Sequence, residues 1–361
     1  MDRVCAPAPQ LAGLIPYDPK YLPAKYVMSA NENPNDVLPE VRRKIADAVA
    51  QVPFNRYPDP LANKLRDAIA EANGLTREWV LVGNGGDQLL FDTALAWGGP
   101  GRTFLNLPPT FSVYAANARL TNTNVIDIPR DPEHDWAVDE RAVFDLVSSP
   151  DASVDFTIIG SPNNPTGELA SEPFVASLLA ATDALVMVDE AYFEFSRCTM
   201  RPYLEANKNL VLLRTFSKAF SLAGVRVGYI LAHPEVIREY IKVRQPYSVD
   251  AVSQAIALTV FENRAQFEPA VNAVIAERSR VEEGLRKIPG VRVYPSASNW
   301  ILFKVPEANK AWEYLYEHGV LVRDFITSTG IEGTLRVTIG TEEENGAFLS
   351  TLRDFVLRKD A

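Results

Sequence analysis

The spacing of apolar residues divides the chain into three textures. Up to about residue 30 it is irregular and interrupted by Pro7, Pro9 and Pro16. Helical periodicity then sets in as Val41, Ile45 and Val49, and again as Leu61, Leu65 and Ile69, closed by Asn73-Gly74, so two amphipathic helices are expected. Four short runs follow, WVLVG (79–83), DFTIIG (155–160), ALVMVDE (184–190) and NLVLLRTFS (209–217), each ending in glycine or polar residues. Strands apolar on both faces are buried on both faces, as in a parallel sheet covered by helices, and such sheets carry their ligands at the carboxyl ends of the strands.

From about residue 250 the pattern changes. Val271, Val274, Ile275, Val281 and Leu285 repeat at helical spacing among charged residues, and RVYP, NWILFKV, VLVRDF and LRVTIG then read as strands. The expected architecture is α/β: a large domain with a mostly parallel central sheet flanked by helices, plus a smaller α+β C-terminal domain. Its expected boundaries are an N-terminal arm over 1–30 that packs with the small domain, a large domain over 31–248 and a small domain over 249–361.

Charge narrows the function. The 36 Lys and Arg against 46 Asp and Glu give a net charge of −10, which disfavours nucleic acid and anionic membranes as partners. Cys5 and Cys198 are far apart and outside any metal-ligand spacing, so neither disulfides nor a metal site are expected. His134, His233 and His318 form no constellation. The start lacks the apolar core of a signal peptide and no run reaches membrane-spanning length, so a cytoplasmic protein acting on small molecules is expected.

The four strand ends carry the chemistry. GNGGDQLL (83–90) sets glycines and Asp87 between a strand and a helix, where backbone N–H groups and the helix dipole can meet a phosphate. A dinucleotide fingerprint would need a third glycine where Gln88 stands. SPNNPTG (161–167) is a rigid loop able to present an amide. Asp189 and Glu190, followed by Tyr192, end a buried strand, where a carboxylate is costly unless a cation or hydrogen-bond donor meets it. In RTFSKAFSLAGVRVGY (214–229), Lys218 follows an apolar strand and the hydroxyls of Thr215 and Ser217. Desolvation and a nearby cation such as Arg226 would lower its pKa and free the amine to attack a carbonyl. Together the ends supply a phosphate cup, a cation for it, an amine for an aldehyde and an anion for a pyridinium nitrogen. In the last strand Leu335, Val337 and Ile339 alternate with Arg336, which is left on the opposite face for an anion.

The order and spacing of SPNNPTG, VDEAY and TFSKAFSLAGVRVGY resemble the fold-type I pyridoxal-phosphate-dependent aminotransferases. Within them the sequence is most similar to the histidinol-phosphate aminotransferase family, from SANENP (29–34) and RYPDP (56–60) through LVRDF (321–325) to LRVTIGTEEEN (335–345). That resemblance implies an aspartate-aminotransferase-like fold and pyridoxal 5′-phosphate held as a Schiff base by Lys218. It implies Asp189 on the ring nitrogen, Asn164 and Tyr192 on the 3-oxygen, and Thr215, Ser217, Arg226, Gly86 and Asp87 around the phosphate. Tyr57 would come to the phosphate across a homodimer interface. Phe111 stands where relatives have a tyrosine stacked on the ring, so a hydroxyl is lost but the aromatic face is kept. Arg336 and Arg323 would grip the anionic groups of substrate, with Asn164, Tyr17 and Asn31 lining the same pocket. The implied reaction is reversible transamination of L-histidinol phosphate with 2-oxoglutarate, giving imidazole acetol phosphate and L-glutamate, in histidine biosynthesis. An aromatic amino-acid aminotransferase and a threonine-phosphate decarboxylase would keep the same lysine.

Overall fold

The computed structural model describes residues 5–11, 13, 14, 16, 18, 20–149, 153–328 and 330–358. The first strand, β1 (Tyr26–Met28), belongs to a five-stranded sheet. The next seven, β2 (Val80–Asn84), β3 (Thr103–Asn106), β4 (Asn124–Asp127), β5 (Phe156–Gly160), β6 (Leu185–Asp189), β7 (Leu210–Thr215) and β8 (Val227–Ala232), form a larger one in the order β2-β8-β7-β6-β5-β3-β4. Each of the four apolar runs is one of these strands. Their burial is two-sided: Val186 and Val188 of β6 enter one core with Leu65, Ile69 and Leu178, while Leu185 and Met187 enter another with Leu89 and Tyr240. Alternation with both sets buried is what removes polar residues from the strand interiors.

The larger sheet is parallel except for β8, which runs against both β2 and β7. Because it reverses, β8 begins at the edge where β2, β5, β6 and β7 end. Residues just before β8 therefore join the carboxyl ends of its neighbours.

The remaining strands, β9 (Arg292–Val293), β10 (Trp300–Lys304), β11 (Val320–Phe325) and β12 (Thr334–Thr338), make the smaller sheet in the order β1-β11-β12-β10-β9. Ile301, Phe303, Val320, Val322, Leu335 and Val337 cover one face with the helices Glu268–Arg286 and Glu342–Leu357. The second helix starts with a capping box between Thr341 and Glu344. β1 pairs in parallel with β11 and so ties the N-terminal segment to this sheet. The helix Ala251–Glu262, read from sequence as the start of the C-terminal unit, sends Ala257, Val260 and Phe261 into the core that holds Val41 and Leu65. An amphipathic pattern says that a face is buried, not in which core, and on this packing we place the end of the large unit near residue 267. No helix among the described residues is long and apolar enough to cross a membrane.

Candidate active site

A cavity of about 430 Å³ opens at the carboxyl edge of the larger sheet and is closed on its other side by the smaller sheet. Gly86, Asp87, Phe111, Asn164, Asp189, Tyr192, Thr215, Ser217, Lys218, Arg226, Asn31, Arg323 and Arg336 all line it. One residue singled out from sequence lies elsewhere, and one cannot be placed. Tyr57 is 82% exposed and stacked on Tyr247 with ring centroids 4.6 Å apart, outside the cavity of its own chain. Tyr17 lies outside the described residues.

Lys218 follows β7 and points its Nζ at the Ala30 carbonyl, 3.0 Å away. Desolvation in the cavity, and next the charge of Arg336, bring its pKa down to about 8. Arg226, the cation expected from sequence to do this, contributes less than Arg336 because its guanidinium is engaged at the other end of the cavity. At neutral pH this raises the share of uncharged amine on the order of a hundredfold over an ordinary lysine.

Asp189 ends β6 and is pushed up to about 6, first by desolvation. No cation meets it. Its Oδ2 accepts the Tyr114 hydroxyl at 2.6 Å and its Oδ1 accepts the Ala191 N–H at 3.0 Å. Tyr114 lies within the PPTFSVY stretch read for Phe111, but its partner is 75 residues away and nothing local marks it. The neighbouring carboxylate, Glu190, is structural: it binds the Arg214 guanidinium, the Thr199 hydroxyl and the Met200 N–H. Tyr192 is fixed by Asn31, whose amide donates to its hydroxyl at 3.1 Å, and by Trp300, edge-on at 4.3 Å. Asn31 is itself buried and bound through its N–H to Thr338, so it positions Tyr192 more than it borders open space.

The other end of the cavity is the cup. The helix Gly85–Trp97 begins there, and its N-cap residue Asn84 supplies no side-chain cap, turning its amide to the Ser248 carbonyl. Arg226, just before β8, donates to Asp87 at 2.7 Å and to the Ala223 carbonyl at 3.2 Å. The approach is so close that a Cβ on Gly228 would lie 2.7 Å from the Gly86 nitrogen, and one on Gly85, whose φ is +71°, 2.5 Å from Arg226 Nη2. At Gly228 only glycine lets the two backbones meet, and at Gly85 glycine suits the positive φ.

Gln88, which stands one residue beyond the cup, has a stated task. It accepts the Asn84 N–H at 2.6 Å and donates to Asp92 at 3.2 Å, while Asp92 is buried and pushed up to about 6 by desolvation, with Arg244 pulling the other way. A glutamate at 88 would face that carboxylate without a proton to give. Gln88→Glu is expected to lose about 1–2 kcal/mol of stability. The deficit should widen as pH rises through about 6, because the folded state then holds a proton more tightly than the unfolded chain. Urea unfolding at pH 5 and pH 8 measures it; an equal loss at both would refute the electrostatic cause.

At the small-sheet wall, Arg336 is 6% exposed and donates to Asn164 Oδ1 and to the Ser29 carbonyl, the latter at 2.7 Å. Its flanking residues Leu335 and Val337 face the core. Arg323 on β11 is its direct register partner and donates to the Asp18 carbonyl at 2.8 Å. Two arginines opposite each other across a ladder repel, an arrangement that costs stability unless an anion lies between or beside them. Of the two asparagines in SPNNPTG, Asn163 is wholly buried and staples the loop to Pro109, Thr110 and Thr166, which leaves Asn164 to face the cavity. Among the described residues no group of His, Cys, Asp and Glu could hold a metal ion.

The family described as aminotransferase class I and II matches residues 23–352. The chain is 36% identical to a histidinol-phosphate aminotransferase of Caldanaerobacter subterraneus subsp. tengcongensis, over 96% of this chain and 97% of that protein. It is 38% identical to one from Thermococcus kodakarensis, over 91% and 92% of the two chains. In fold it superposes on the Sinorhizobium meliloti histidinol-phosphate aminotransferase, solved in complex with pyridoxal-5′-phosphate, with a TM-score of 0.88 at 21% identity and full coverage of both chains. The chain belongs to the class I and II aminotransferases and, within them, to the family of the histidinol-phosphate aminotransferases.

Proposed function

We propose that the chain binds pyridoxal 5′-phosphate in this cavity and transaminates L-histidinol phosphate with 2-oxoglutarate, giving imidazole acetol phosphate and L-glutamate, in the histidine biosynthetic route of the cytoplasm. The observation that carries the reading is one cavity holding a lysine amine with lowered pKa, a buried carboxylate without a cation, an uncapped helix N-terminus beside an arginine, and two facing arginines.

These residues fit the cofactor at each of its polar ends. The first turn of the helix Gly85–Trp97, with Arg226, Thr215 and Ser217, suits a phosphate dianion, for which Arg226 would exchange its contact with Asp87. Asp189 suits a ring nitrogen, Tyr192 and Asn164 the 3-oxygen, Phe111 the ring face and Lys218 the aldehyde carbon. Bound there, the cofactor supplies a ring that withdraws electrons from the substrate α-carbon. The chain does the rest. Lys218 Nζ takes the proton from the α-carbon, which its pKa near 8 allows at neutral pH. Tyr192, held by Asn31 and Trp300, keeps its hydroxyl directed into the cavity. Arg336 and Arg323 hold the phosphate of one substrate and the carboxylates of the other, since a guanidinium fork matches both groups. Tyr57, exposed on its own subunit, completes the cup of a second subunit in a homodimer.

The test is the purified holoprotein mixed with L-histidinol phosphate alone, then separately with L-phenylalanine or L-threonine phosphate, each without a keto acid. Conversion of the visible cofactor band by histidinol phosphate, with release of one equivalent of the oxo product, is expected. Conversion by phenylalanine only would make it an aromatic aminotransferase, and carbon dioxide release from threonine phosphate a decarboxylase.

A further inference from the structure

The hydroxyl of Tyr114 is not used by any step above, yet it is placed with care. Tyr114 sits in the first turn of the helix Val113–Leu120 and is 3% exposed. Its ring packs among Leu89, Ile158 and Met187, where a phenylalanine would fill the same space. Phe111 meets it edge-on, with centroids 5.6 Å apart at 88°, so the ring that faces the cavity also sets the angle of the ring behind it. At the end of β5, Gly160 leaves room on the far side: a Cβ there would lie 3.6 Å from the phenol oxygen and 3.0 Å from Asn163 Oδ1. The phenol then donates to Asp189 Oδ2 at 2.6 Å.

We propose that Tyr114 is the positioning residue for Asp189, holding the carboxylate at the cavity wall so that its charge is presented to the ring nitrogen of the cofactor. The inference rests on the cofactor reading above. The choice of donor matters. Asp189 is buried and needs a donor, but a lysine or arginine would cancel the charge that a pyridinium requires, whereas a phenol satisfies lone pairs and leaves the charge in place. The hydrogen bond favours the charged carboxylate against the desolvation that pushes it up, while burial first, and then the charge and hydrogen bond of Asp189, hold the phenol proton well above the usual tyrosine range. The Ala191 N–H holds the second oxygen, so the carboxylate plane is fixed at two points.

The test uses pyridoxamine 5′-phosphate, which cannot bond covalently to Lys218, and follows tryptophan fluorescence of the apoprotein on titration. Tyr114→Phe keeps the ring and removes one oxygen, and is expected to weaken binding roughly tenfold, the worth of one hydrogen bond to a charged group. In an Asp189→Asn background the same change should alter affinity by less than about twofold, because the charge it acts through is gone. A merely structural role for the hydroxyl would cost the same in both backgrounds, and that result overturns the proposal, as does an unchanged affinity for Tyr114→Phe alone. Thermal melting of each apoprotein checks that the fold is kept. Failure of the cofactor reading shows separately, as an unmodified protein that neither binds pyridoxamine phosphate nor gains a visible band with pyridoxal phosphate, and it takes this proposal with it.

Discussion

Replacing Lys218 by alanine is expected to lower transamination at least about 10⁴-fold, with no recovery at any pH, because the group that both bonds the cofactor and moves the α-proton is gone. Stopped-flow absorbance with histidinol phosphate measures it. Residual turnover within about a hundredfold of the parent would overturn the role. A second observable separates fold from chemistry. In the folded protein the Lys218 pKa is depressed to about 8, so below that pH the fold must carry a charge it disfavours, and the burden fades as pH rises toward the ordinary lysine value. The alanine apoprotein should therefore melt above the parent at pH 7, and the gap should close above about pH 10. Loss of activity accompanied by gain of stability is the mark of a functional group kept at the expense of the fold.

Arg336→Ala is expected to reduce kcat/KM for histidinol phosphate by roughly a thousandfold, the loss of a paired, charge-assisted contact, with most of the change in KM. It also removes the donors to Asn164 and the Ser29 carbonyl, so about 1–3 kcal/mol of stability goes with it. A domain of ordinary stability survives that, and the kinetic effect dominates. The variant carries an internal check. Arg336 is the largest charge depressing the Lys218 amine, so the pH at which the apoprotein captures pyridoxal phosphate at half its maximal rate should move upward from about 8. Saturation kinetics and the pH dependence of capture measure the two effects. A fall in kcat with KM unchanged would assign Arg336 to the chemical step instead.

Much of this site is legible in the sequence because a parallel sheet is a simple code. An apolar run ends in a polar residue, and the polar residues at several ends share an edge. Gly86, Asp87, Asn164, Asp189, Thr215, Ser217 and Lys218 lie together for that reason alone. Four strands were not marked. β1 has three residues, β3 has four, and β4 is an edge strand with no wholly buried position, so none offers a long enough pattern. β8 is fully buried but is absorbed into the residues that follow Lys218. Contacts between distant segments leave no local trace: the bond from Tyr114 to Asp189 spans 75 residues, and the one from Asn31 to Tyr192 spans 161. The greater influence of Arg336 than Arg226 on Lys218 depends on how the two sheets face each other, which no spacing encodes. Tyr57 is a case of a different kind: in its own chain it is exposed and stacked on Tyr247, away from the cavity for which the resemblance singled it out.

The reversal of β8 bears on how this scaffold tolerates change. Arg226 is carried to the cup by the ladder pairs of Val227 with Asn84 and of Gly228 with both Gly83 and Thr215, not by the length of the segment that crosses from Lys218. The cation is thus indexed to the sheet. Residues added to the crossing segment leave that index alone, whereas one residue added within β8 would turn every later side chain of the strand to the opposite face. The place of the cation therefore follows from strand pairing, while the crossing answers to a different constraint, the burial of Phe220 and Leu222 in the core beneath the sheet.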